Sequence, residues 1–173
     1  MLITKKTKTK DILPLLTKKE LIDELLDKVT PIPLKKPIIS MTIKEFSNII
    51  LDEEAYINKL LSKRRALTAF GMIKTYRSEM QGLSSWLKKH EIAQTAEEKQ
   101  AAVDVDFPSM IERMLITVTK FFNLSSMDKA EKRYVNEYLL ILKDQTADVK
   151  YQRNYQNILE RKANANRNSK RRK

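Results

Sequence analysis

The sequence predicts an all-α fold: an irregular helical bundle with an extended N-terminal arm and a long projecting C-terminal helix. Three observations lead there. Gly71 and Gly82 are the only glycines in 173 residues, too few for the tight turns of an all-β chain and well suited to long helices with few connections. Apolar residues recur three and four positions apart over most of the chain, the spacing that lines one face of an α-helix. Three segments of the form Thr-x-x-Glu stand before such runs. In that pattern the threonine hydroxyl and the glutamate carboxylate each satisfy a backbone N–H that a helix start leaves without a partner.

The first of them, Thr17-Lys18-Lys19-Glu20, opens a helix with Leu21, Ile22, Leu25, Leu26 and Val29 on one stripe. Pro31, Pro33 and Pro37 then keep residues 30–40 extended, because each removes a donor and biases its predecessor away from helical geometry. Ile32, Leu34, Ile38 and Ile39 stud this segment, so it reads as a strap lying along an apolar surface. Two surfaces qualify: a partner protein, for which these four are the binding residues, or the chain's own body.

Thr42-Ile43-Lys44-Glu45 opens a short helix with Phe46, Ile49 and Ile50 on its inner side. Asp52-Glu53-Glu54 places acids where a helix start favours them, and a long helix is expected from there to about His90, with Gly82 as a candidate break. Thr95-Ala96-Glu97-Glu98 starts a short alanine-rich turn. Pro108 suits the first position of the next helix, whose Met110, Ile111, Met114, Leu115, Val118, Phe121 and Phe122 make it the candidate core element. Ser126 suits the cap of a final helix from near Met127, with Val135, Tyr138, Leu139, Leu142, Thr146 and Val149 as its stripe. Helical through Arg161, it is about 50 Å long at 1.5 Å per residue. A domain of this size needs less, so its distal half is expected to project and to order against a neighbour. The expected organisation is an arm over 1–40, a helical body over 41–150 and a basic extension over 151–173.

The net charge of +12 is concentrated at the two ends. Lys5, Lys6, Lys8 and Lys10, with Arg161, Lys162, Arg167, Lys170, Arg171, Arg172 and Lys173, account for all but one unit of it, and neither end holds an acid. A near-neutral body with basic ends points to electrostatic tethering to a polyanion. Such ends neutralise phosphates without reading sequence. Tyr134, Tyr138, Tyr151 and Tyr155 stand at helical spacing, which fits packing better than stacking on bases.

Chemistry-bearing patterns are sparse. The chain has no cysteine, hence no disulfide, thiol nucleophile or thiolate metal site. Two isolated glycines cannot build a P-loop or a dinucleotide fingerprint. His90 is the single histidine, and Asp104 and Asp106 more simply charge the following helix start than hold a cation. No run approaches the roughly 18 apolar residues of a membrane span, and the basic N-terminus is not followed by the uninterrupted apolar region that a secretory signal requires. The expectation is a non-enzymatic intracellular protein with no cofactor, no metal and no membrane partner.

The run Met41-Thr42-Ile43-Lys44-Glu45-Phe46, the acid-led long helix after it and the lysine-rich, glycine-poor chain resemble small helical virion proteins of tailed, crAss-like bacteriophages. The resemblance covers mainly residues 41–90. It implies a structural part of a capsid, portal or tail, found in the virion or in the host cytoplasm during assembly. Its partners would be other protein subunits, with DNA or RNA reached through the basic ends. The expected function is therefore a structural or assembly component of a large nucleoprotein particle. The alternative is a free accessory protein that binds DNA or RNA non-specifically through the same ends.

Overall fold

All regular structure among the described residues is helical. The computed structural model describes residues 25–62, 64–91, 95–101 and 106–171. The helix start at Thr17, the tail lysines Lys5, Lys6, Lys8 and Lys10, and Asp104, Arg172 and Lys173 lie outside them. In chain order the helices are α1 (Ile43–Leu51), α2 (Glu53–Ser62), α3 (Ala66–His90), α4 (Ala96–Ala101), α5 (Met110–Phe121), α6 (Met127–Glu131) and α7 (Val135–Arg171), with a 3-10 turn at Ile38–Ser40 before α1.

Local chemistry sets the starts. At α1 the Thr42 hydroxyl accepts the Glu45 N–H at 3.2 Å, and the Glu45 carboxylate accepts the Thr42 N–H at 2.8 Å. Thr95 and Glu98 repeat the exchange before α4, at 3.2 and 2.8 Å. A further box, Ser109 with Glu112, starts α5 at 3.3 and 2.7 Å. It moves the helix start two residues beyond the expectation, from Pro108 to Met110: Pro108 stands before the cap, and its carbonyl accepts from Arg113 Nε at 2.8 Å.

Two expected helices are divided. The run from Glu53 to His90 breaks between Ser62 and Ala66. In one straight helix Leu60 and Ala66 would stand about 120° apart; the break lets both reach the core, at 5% and 0% exposure. Gly82, by contrast, does not interrupt α3. The final helix does not run on from Met127 either. α6 ends at Glu131, and the chain extends through Tyr134 to form an antiparallel bridge with Thr42.

The core lies where α1, α3, α5, α6 and the start of α7 meet. Ile43, Phe46, Phe70, Tyr76, Met114, Val118, Ala130 and Val135 are among its most enclosed side chains. The proline strap belongs to it. The Ile32 N–H donates to the Gly71 carbonyl at 3.0 Å, and the Thr75 hydroxyl donates back to the Ile32 carbonyl at 2.8 Å. Farther along, the Ile38 N–H donates to the Glu79 carboxylate at 2.7 Å. Lys74 Nζ reaches the carbonyls of Asp27 and Val29, where the preceding helical turn leaves acceptors open. Gly71 makes the approach feasible, since a Cβ there would lie 2.7 Å from Ile32 Cγ1 and 2.8 Å from the Thr30 carbonyl oxygen.

Of the two surfaces open to the strap, then, the chain's own body takes residues 25–40. This corrects the reading of Leu34 and Ile38 as residues held out for a partner: both are buried in the intramolecular core. Ile32 is half-buried against α3. Ile39 is the one of the four that faces solvent, at 52% exposure.

Candidate interaction surface

α7 carries apolar residues on two opposite sides. At about 100° per residue, Val135, Tyr138, Leu142, Thr146 and Val149 face the body, as their spacing predicts. Val135, Tyr138 and Thr146 are buried, and Leu142 and Val149 are half-buried. On the far side stand Leu140, Tyr151, Tyr155 and Ile158, exposed by 64%, 65%, 46% and 49%. The rings of Tyr151 and Tyr155 stack one turn apart, with centroids 6.3 Å apart and planes 10° from parallel.

Two polar contacts hold the proximal half of α7. Thr146 Oγ1 lies 3.0 Å from the His90 carbonyl and 2.7 Å from the Leu142 carbonyl, so one hydroxyl proton serves the last turn of α3 and its own helix. Arg153 then meets both oxygens of Glu98 at 2.9 Å. With the Thr95 N–H, it holds the Glu98 carboxyl below the usual carboxylate range. From Asn154 to Ala165 every side chain is exposed.

Arg161 and Lys162 are exposed on this distal rod, and the backbone stays helical through Arg167, Lys170 and Arg171. The distal rod thus carries the exposed charges of Arg161 and Lys162 together with an apolar stripe through Tyr151, Tyr155 and Ile158.

A second feature is a cleft of about 540 Å³ between the end of α3, the start of α5 and α7, lined among others by Leu87, His90, Met110, Arg113, Tyr138 and Leu142. The His90 ring stacks on Trp86, its neighbour one turn back, at 3.8 Å, and Nδ1 lies 2.8 Å from the Trp86 carbonyl. That spacing suits an Nδ1–H tautomer donating to a carbonyl one turn back in the last turn of α3, a structural arrangement for a helix end. Burial pushes the Tyr138 phenol up, with Arg113 opposing. Among the described residues no group of three or more His, Asp or Glu converges as a cation site. None of the described helices is long and apolar enough to cross a membrane.

Sequence reasoning missed Leu140. Its signal was present, because Leu140, Tyr151 and Ile158 share one side of an α-helix. That stripe is sparser than the core-facing one, which masks it. Searches against protein-family models, curated proteins and solved structures match nothing to this chain.

Proposed function

We propose that the protein is a non-enzymatic structural component of a large nucleoprotein particle, of the virion type implied by its resemblance to small helical tailed-phage proteins. In this reading α7 is the element that docks it. One observation carries the proposal: residues 154–165 form a helix whose every side chain is exposed. A free helical stretch of this length is marginal in water, and amphipathic helices draw most of their stability from packing. The apolar stripe supplies area for a protein neighbour, and the cations beyond it supply attraction to a polyanion.

Quantitative mass spectrometry of purified particles tests this, with the full chain beside a deletion of 150–173. The full chain is expected at fixed stoichiometry. The truncated chain should keep a cooperative melt, since its core ends near Val149, and should be lost from particles. Incorporation of the truncated chain at the full level would sink the proposal.

The one-signed charge of residues 161–173 supports the second reading, a free accessory protein on DNA or RNA. A salt titration against duplex DNA, single-stranded DNA and RNA tests it. Seven phosphate contacts give a log–log slope of about −6 on duplex DNA, which should collapse on deletion of 161–173. Negligible binding to all three excludes this reading.

A further inference from the structure

We propose that the outward face of α7 pairs with the same face of a second copy, antiparallel, about a two-fold axis close to Arg153. This rests on the reading of α7 as a docking element and names its first partner.

The face is continuous. With Leu140, Tyr151, Tyr155 and Ile158 stand Asp144, Ala147, Lys162 and Ala165, all exposed and all within about 40° of Tyr151 at 100° per residue. They follow one another at steps of three and four residues, the spacing of a coiled-coil seam. The single departure is a double step of four through Ala147, Tyr151 and Tyr155, which straightens a supercoil locally.

Reversing the face about residue 153 makes it complementary to itself. Tyr151 meets Tyr155, Ala147 meets Ile158, and Leu140 meets Ala165. Each aliphatic residue is set against an alanine, which lets two helices approach to the usual 8–10 Å. Asp144 meets Lys162, so the two charges on the face form an ion pair, made twice by symmetry. In a parallel pair Asp144 would face Asp144 and Lys162 would face Lys162. The seven cations of residues 161–173 from each chain would also lie side by side. The antiparallel pair separates those clusters by about 40 Å at 1.5 Å per residue, several screening lengths at physiological salt.

Among the described residues α7 meets the body away from this face, with Ile141 buried on its flank. Tyr138, Leu142, Thr146 and Val149 join α7 to the core on its opposite side, and Arg153, which holds Glu98, points that way too. Polar residues at seam positions are known to set register and orientation at a cost in affinity, which is the role assigned to Asp144 and Lys162.

Sedimentation equilibrium of the full chain over a concentration series tests the pairing, with circular dichroism confirming helix content. A dimer of twice the 20.3 kDa chain mass is expected. Asp144→Lys alone and Lys162→Asp alone should each weaken it at least about tenfold by placing like charges in the seam. The double variant D144K/K162D restores opposite charges and should return affinity to within about threefold of the native chain. All the substituted side chains are solvent-exposed, so folding is not at stake. A monomer at 100 micromolar order with native helicity overturns the pairing, and so does a dimer indifferent to both single variants. If the chain is monomeric yet deletion of 150–173 still removes it from particles, the pairing fails and the docking reading survives. If it dimerises as described while that deletion is incorporated normally, the pairing stands and the docking reading fails.

Discussion

Ile43 and Val135 each occupy the first position of a helix, and each gives its amide to the residue before the other's cap. The Ile43 N–H donates to the Arg133 carbonyl at 2.8 Å, and the Val135 N–H donates to the Met41 carbonyl at 2.9 Å. Two helix starts 92 positions apart thereby satisfy one another's open donors across the Thr42–Tyr134 bridge. Each start also has an N3 glutamate reaching back, Glu45 to the Thr42 N–H at 2.8 Å and Glu137 to the Tyr134 N–H at 3.0 Å. Arg133 lies over the Phe122 ring at 3.9 Å and pairs with Glu137 at 3.0 Å. The junction therefore joins α1, α5, α6 and α7 at one point.

Proline tests the exchange directly. At an ordinary first helical position proline is well tolerated, because the lost N–H had no intrahelical partner. At Val135 it removes a donor and leaves the Met41 carbonyl without one. Val135→Pro should lose about 1–3 kcal/mol beyond the loss measured for Val135→Ala. Urea denaturation of both variants gives the comparison, and equal losses would mean the exchanged bonds contribute nothing.

The two glycines of α3 should answer alanine in opposite senses. At Gly82 an added Cβ meets nothing within 4 Å, so Gly82→Ala should stabilise by about 0.5–1 kcal/mol through reduced chain entropy. At Gly71 the same atom collides with Ile32 and the Thr30 carbonyl. Gly71→Ala should instead destabilise by about 1–3 kcal/mol, as overpacking does. A stabilised Gly71→Ala variant would mean that the strap does not lie against α3 as described.

Thr146 is buried at 2% exposure, with its hydroxyl against the His90 carbonyl. Thr146→Val keeps the shape and removes the donor, so a loss of about 1 kcal/mol is expected. Thr146→Ser should retain most of the native stability. Denaturant midpoints of the two variants separate the hydrogen bond from the packing.

Acid should weaken the fold through its helix caps. Glu45 is held below its ordinary value of 4.5 by the Lys36 hydrogen bond and the Thr42 N–H, and Glu112 by the Ser109 hydroxyl and N–H. A carboxyl depressed in the folded state contributes stability that is fully present above its unfolded pKa and is lost as pH falls through the folded one. The melting temperature is expected to hold from pH 7 to about 5 and to fall below about 4.5. Glu112→Gln should lower the melting temperature at pH 7 and flatten the acid decline. A variant with the native pH profile would show that this cap is not coupled to folding.

The helical class and most helix starts were legible in the sequence. Thr42 with Glu45 and Thr95 with Glu98 are local devices, complete within four residues. So is Ser109 with Glu112, whose signature lies in the sequence beside the more conspicuous Pro108. Spacing picked out Phe46 and Ile49 of α1, Met114 and Val118 of α5 and Val135, Tyr138 and Thr146 of α7, all buried, because a helix fixes which side chains share a face; it also picked Ile50, Met110 and Phe121, which the packing leaves exposed. The basic ends were likewise readable as charge against position.

Other features depended on neighbours distant in sequence. The division before Val135 arises because Thr42 offers an edge to pair with, and nothing near Tyr134 announces that. Leu34 and Ile38 carry the same apolar signal whether a strap lies on a partner or on its own body. Gly71, placed under Ile32 and Thr30, is what lets it lie on α3. A helical pattern also records two apolar stripes on α7 without saying which one faces inward. Burial of Tyr138 and Thr146 against the end of α3 decided that, and it left Leu140, Tyr151, Tyr155 and Ile158 outside. Sequence determines faces, because periodicity is local; which face is covered is a property of packing, set by residues far away along the chain.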